Sequence, residues 1–144
     1  RGLRKIMLNV PAGVEDGFSL RLAGEGAPSN TSGRRGDLYV VLHVKPHKLF
    51  IRRGDHIYHQ INVSFPQLAL GAKITVPTLH GETKLKVPAG TQTGTLFKLR
   101  NKGIPHFRGF GKGDQFVEVT AETPTKLSGK QKKLFRNLEE ALKD

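Results

Sequence analysis

The 144-residue chain contains no cysteine and no tryptophan, and its 24 lysines and arginines outnumber 12 acidic residues two to one. Without cysteine there is no disulfide, no thiol nucleophile and no cysteine-based zinc site. No apolar run approaches the roughly 18 residues of a membrane span, and the opening Arg1-Gly2-Leu3-Arg4-Lys5 lacks the long apolar stretch of a signal peptide. These absences predict a soluble, intracellular protein of the cytoplasm. Ser64 and Ser128 stand in no Gly-x-Ser-x-Gly setting that would expose a nucleophile. Carboxylates are few, and Asp37, Asp55 and Asp114 each follow a glycine, as turn residues do. Nothing assembles an active site, so the chain reads as a binding module, not an enzyme, with no cofactor.

Two further chemistries fail on geometry. The pairs His56-x-x-His59 and His43-x3-His47 cannot share a ligand face: residues three apart on a strand point oppositely, and His47 falls past the strand end. The loop Gly109-Phe110-Gly111-Lys112-Gly113 leads into a strand and lacks the Gly-Lys-Ser/Thr of a P-loop. Arg35-Gly36-Asp37, Arg53-Gly54-Asp55 and Lys112-Gly113-Asp114 read as turns, not adhesion motifs. The formal charge of +12 would attract an anionic partner. Its lysines and arginines are scattered, with few aromatics beside them, which favours solvated faces. A basic β-domain binding nucleic acid or another polyanion is the rival reading.

What the chain does have is a repeat. Residues 10–47 return as 87–124 at a constant offset of 77 positions: Val10-Pro11-Ala12-Gly13 as Val87-Pro88-Ala89-Gly90, Gly17 as Gly94, Leu22 as Leu99, Gly26 as Gly103, Pro28 as Pro105 and Gly36-Asp37 as Gly113-Asp114. These are mostly turn residues, so a shared skeleton of turns predicts a shared fold. Units of this length are too long for a solenoid, whose repeats run about 20–50 residues. Two similar small domains in series are expected, each near the lower size limit for folding alone.

Alternation predicts a strand at Ile6–Val10, a turn at Pro11–Gly17, and a strand carrying Leu20 and Leu22. The small, polar stretch 24–36 reads as a mobile loop. From Asp37 a strand resumes with Leu38, Val40, Leu42 and Val44 on one face and Tyr39, Val41 and His43 on the other, a pattern that predicts a central place in a sheet. Further strands are expected at 56–65, 73–77, 84–88, 95–100 and 114–121, with a single helical turn at Pro66–Gly71. Only nine residues precede Val10, too few for counterparts of the strands ahead of Val87, so the first domain reads as incomplete at its N-terminus. After Pro124 the period becomes helical: Ser128 and Gln131 have capping-box spacing, Leu134, Phe135, Leu138, Ala141 and Leu142 form one stripe, and Glu139 and Lys143 stand i,i+4. The stripe must rest on its own domain or on a second copy. The expected fold is mostly β: two tandem, similar sandwich- or barrel-like domains, a short helical turn and a terminal amphipathic helix.

Several motifs together resemble the C-terminal substrate-binding region of the DnaJ family of J-domain co-chaperones. They are Val10-Pro11-Ala12-Gly13-Val14-x2-Gly17, Gly36-Asp37-Leu38-Tyr39-Val40, His47-x2-Phe50-x-Arg52-x-Gly54-Asp55, Leu70-Gly71-x5-Pro77-Thr78-Leu79-x-Gly81, Pro88-x-Gly90-Thr91-Gln92 and Lys102-Gly103-Ile104-Pro105. The resemblance implies a client-binding domain at 1–48, a second β-domain at 49–124 and a dimerisation helix at 125–144. It implies that unfolded polypeptides bind a groove matched by Ile6 and Val40, to which Leu8, Leu38 and Leu42 are added by face. It further implies that Leu134, Phe135, Leu138 and Leu142 join two protomers, and that a DnaK-class ATPase is the partner of the full-length protein. The chain has no His-Pro-Asp of a J-domain, no Gly/Phe-rich linker and no cysteine repeats, so this piece alone should neither stimulate the ATPase nor bind zinc.

Overall fold

The fold, taken from a computed structural model, is described for residues 3, 5–28 and 33–143. In chain order its elements are β1 (Phe18–Leu22), β2 (Leu38–Leu42), β3 (Ile51–Arg53), β4 (His56–Val63), α1 (Phe65–Leu70), β5 (Ala72–Thr78), β6 (Gly81–Val87), β7 (Thr95–Leu99), β8 (Gln115–Ala121) and α2 (Gly129–Ala141). Strands β1 and β2 form an antiparallel pair, β3-β4-β8-β7 a four-stranded sheet, and β5-β6 a hairpin. Within the four-stranded sheet β4 and β8 run parallel, and the other neighbours are antiparallel.

The hairpin lies over one face of the four-stranded sheet because each contributes a period-2 apolar row. Val76, Leu85 and Val87 of the hairpin meet Val63, Val117 and Val119 of the sheet, with Leu68 of α1 closing the layer and Ile61, Ile74, Phe97, Leu99 and Ala121 at its margin. Burying such side chains contributes about 1.5–3 kcal/mol each, which makes this core the main source of stability. Helix α1 is set by a capping box: the Ser64 hydroxyl accepts from the Gln67 amide at 3.3 Å and the Gln67 side chain accepts from the Ser64 amide at 3.2 Å. Its last carbonyls receive the amides of Gly90 and Thr91.

The repeat survives at the level of single hydrogen bonds. Gly17 donates to the Leu42 carbonyl at 2.8 Å and Gly94 to that of Val119 at 2.7 Å; Gly26 donates to Gly36 and Gly103 to Gly113, both at 2.8 Å. Strand β1 meets β2 with Phe18 opposite Leu42, and β7 meets β8 with Thr95 opposite Val119, the same register shifted by 77. Asp37 accepts from the Gly24 amide and pairs with Arg21, and Asp114 accepts from the Asn101 amide and pairs with Lys98. Asn101 takes the left-handed backbone (φ 60) that Gly24 takes at φ 73, as asparagine can.

The structure corrects several expectations. Residues 5–10 pair with no strand among the described residues, although their alternation persists: Ile6 and Leu8 are half-buried and Met7 is exposed. Among the described residues β2 pairs with β1 alone, whereas its counterpart β8 lies between β4 and β7, and Tyr39 and Val41 on its second face are 62% and 51% exposed. Phe65, expected to extend β4, opens α1 instead, because the Ser64 cap and Pro66 turn the chain. The middle of the loop read over 24–36, residues 29–32, lies outside the described residues, and its base is closed by a bridge between Pro28 and Arg35. Lys143 pairs with Glu140 at 3.2 Å, not with Glu139. Every residue of α2 is exposed, so none of its stripe is fully buried against its own domain.

Candidate functional site

The β1–β2 register places Phe18, Leu20 and Leu22 beside Leu42, Val40 and Leu38 on one face, all half-buried. The 77-residue offset carries Leu38, Val40 and Leu42 onto Gln115, Val117 and Val119. In the second unit those three are fully buried under the β5–β6 hairpin. The same offset carries Ile6 and Leu8 onto Thr83 and Leu85, which face inward on β6. All five residues read as groove-lining thus correspond to inward-facing positions of the second unit. Among the described residues no strand pair covers them in the first unit. Apolar rows of this kind take apolar side chains from a facing strand pair, as the β5–β6 hairpin supplies in the second unit.

The first sheet is anchored through its turn. Arg52 of β3 donates Nη1 to the Val14 carbonyl at 2.8 Å and Nη2 to the Gly13 carbonyl at 3.0 Å, while its Nε donates to the Gly54 carbonyl at 2.7 Å. Phe18 packs edge-on against Phe107, and the Arg108 guanidinium lies over the Phe107 ring at 4.7 Å. At the start of β2, the Gly24 amide and the Arg21 guanidinium hold the Asp37 carboxyl below the usual carboxylate range. That carboxylate ties the ends of β1 and β2 together.

One buried polar node supports the second unit. The Gln115 side chain, fully buried, donates from Nε2 to the Pro77 carbonyl at 2.8 Å and stands 2.9 Å from His59 Nε2. With Nε2 as acceptor the imidazole is neutral, and burial pushes its pKa down. His56, three residues earlier, lies on the opposite face, where Nδ1 accepts from the Asp114 amide. Among the described residues no three His, Asp or Glu side chains cluster as metal ligands would.

The second exposed apolar surface is at the C-terminal end. Leu134, Phe135, Leu138 and Leu142 are 57%, 40%, 49% and 73% exposed. With Leu127, the last three line a groove of about 1010 Å³ whose other wall is Phe65, Pro66, Ala69 and Leu70 of α1. Leu134 stands outside it. The part played by α1 went unread in the sequence, though Ser64-x-x-Gln67 with Pro66 at the second helical position was the available sign.

Residues 1–124 match the family model of the DnaJ C terminal domain. The chain belongs to that family. It is 56% identical over 137 residues to the chaperone protein DnaJ of Geobacillus sp. (strain WCH70), a match covering 95% of this chain and 36% of the relative. It is 58% identical over 137 residues to the DnaJ of Brevibacillus choshinensis, with the same coverage, and 51% identical over 136 residues to that of Bacillus mycoides (strain KBAB4), covering 94% of this chain and 37% of the relative. The chain therefore spans little more than a third of the curated relatives' length. Its motif residues serve the fold visibly: Arg52, Gly54 and Asp55 build the clamp on the first turn, and Gly103 and Gly113 pack against the Asp55 carbonyl.

Proposed function

We propose that the chain binds exposed apolar segments of non-native polypeptides, as the client-holding part of a DnaJ co-chaperone that passes them to a DnaK-class ATPase. The observation that carries this reading is the apolar row of the β1–β2 pair, where Leu38, Val40 and Leu42 stand beside Leu22, Leu20 and Phe18 on one half-buried face, in a chain of the DnaJ C-terminal domain family. In this reading residues 1–48 hold the client, 49–124 act as spacer, and 125–144 join two copies through Leu134, Phe135, Leu138 and Leu142. Each client side chain buried contributes about 1.5–3 kcal/mol, set against several kcal/mol for association and for ordering a flexible client. Net affinity is expected near micromolar, and promiscuous because backbone pairing reads no side chains.

The test is titration of a labelled, permanently unfolded polypeptide at low and high salt. Apolar binding should change little with salt, whereas polyanion-type binding would fall steeply. Val40→Asp should abolish client binding and leave the second unit folded, since a charge in an apolar site is heavily penalised. Undiminished binding by a folded Val40→Asp variant would remove this face from consideration.

A further inference from the structure

Three sheet cations elsewhere in this chain are held by carboxylates, Arg21 by Asp37, Arg52 by Asp55 and Lys98 by Asp114, while Arg53 of β3 has no ion pair among the described residues. The outward face of the β5–β6 hairpin is different. Lys73 stands directly opposite Lys86, and Lys84 directly opposite Thr75, all exposed. Like charges in register across an antiparallel pair are destabilising. None of the three lysines has a carboxylate within ion-pair distance among the described residues. The Lys84 ammonium donates to Thr75 Oγ1 at 2.6 Å, which holds that side chain across the strand. The platform is rigid, because the hairpin's other face carries Val76, Leu85 and Val87 of the core.

We infer that this face is a docking surface for an acidic polypeptide segment in extended conformation. Lys84 and Lys86 are two residues apart on one strand, so their side chains repeat at about 6.8 Å, the spacing of alternate carboxylates on an extended peptide. Lys73 supplies a second row across the strand. A carboxylate seated between Lys73 and Lys86 relieves the repulsion built into the hairpin. Glu82, on the same face two residues from Lys84 towards the tip, repels an acidic segment there and limits the site to the other end. The outward face, Lys73, Thr75, Pro77, Glu82, Lys84 and Lys86, carries no aromatic on which a nucleic-acid base could stack and no large apolar side chain to enter a bilayer. The surface is independent of the β2 face and does not rest on the client-binding reading.

The rival explanation is that these lysines only discourage edge-to-edge aggregation of a two-stranded sheet. Stability and binding separate the two. The probe is a fluorescein-labelled peptide alternating glutamate and serine, about ten residues long and extended, titrated against the full chain by anisotropy. The triple variant Lys73→Gln, Lys84→Gln, Lys86→Gln should bind it about tenfold more weakly, while Lys48→Gln, Lys102→Gln, Lys130→Gln, which removes the same charge elsewhere, should bind like the parent. Lys86→Glu, which places opposite charges across the Lys73 register pair, should raise the melting temperature and still weaken peptide binding. Equal losses in both triple variants would assign binding to the general +12 field and overturn the proposal, as would no loss in either. Tighter, hairpin-dependent binding of an oligothymidylate of equal charge would overturn it in favour of a nucleic-acid surface.

Discussion

Gly36 and Gly113 occupy the same place in the repeat and differ in what they permit. A Cβ added at Gly36 meets only the Ala27 carbonyl oxygen at 3.8 Å, whereas at Gly113 it meets the Asp55 oxygen at 2.0 Å and its carbonyl carbon at 2.5 Å. The β3–β4 turn presses on the second copy's loop alone. Gly36→Ala should therefore change stability by less than about 0.5 kcal/mol and Gly113→Ala should cost more than about 3 kcal/mol, measured by urea unfolding. The sequence showed that both positions were turns; that one was also a contact depended on Asp55, 58 residues away in the chain. His59 poses a similar residue-scale question. Its neighbours are the Phe50 ring and the Gln115 amide, which favour a neutral imidazole. Because burial lowers its folded pKa, its contribution is fully present above the unfolded value of about 6.5 and is lost as pH falls below that through the lowered folded value. His59→Gln, which can still accept from Gln115, should flatten the decline in melting temperature on acidification. An unchanged slope would show that other groups set it.

At the scale of elements, what was legible in the sequence was whatever repeats locally. Period-2 alternation bounded by glycine and proline located β4 through β8, and Ser128-x-x-Gln131 located the start of α2, where both capping hydrogen bonds form. Alternation at Ile6–Val10 was equally clear and gave no strand, because alternation records which side chains turn inward, not whether a neighbouring backbone is there to pair. Tyr39 and Val41 of β2 alternate as clearly and are exposed among the described residues for the same reason. Arg52 stood out only as part of a motif, and its role went unread, since two of its contacts reach the backbone of Gly13 and Val14 nearly forty residues away and are blind to side-chain identity. Charge-assisted hydrogen bonds of this kind contribute about 1.5–3 kcal/mol each. Arg52→Ala should speed amide exchange in β1 and β2 while leaving β8 protected. Equal loosening of both would mean that the clamp supports the whole fold.

At the scale of the whole molecule, Val117 and Val119 are sealed by the β5–β6 hairpin, whereas their counterparts Val40 and Leu42 are half-buried among the described residues, and on the proposed reading that face takes the guest. Helix α2 adds a second unsatisfied surface. An isolated helix of this length, 13 residues, is marginal in water, and none of its residues is buried against its own chain. A second copy supplying the same stripe would bury it and bring two β2 faces onto one particle. Leu138→Asp removes an apolar side chain from the α1–α2 groove and adds a charge there. Light scattering should then report the monomer mass of 15.9 kDa in place of its double. The consequence for binding depends on the guest. A short peptide with one apolar stretch occupies one face and should bind both forms equally. A long unfolded client bridges two faces at an effective concentration on the order of millimolar, so its apparent affinity should fall on dissociation even though every β2 side chain is intact. Leu138→Asp still at the dimer mass would place the interface elsewhere. A monomer that holds the long client as tightly as the parent would show that one face does the holding alone.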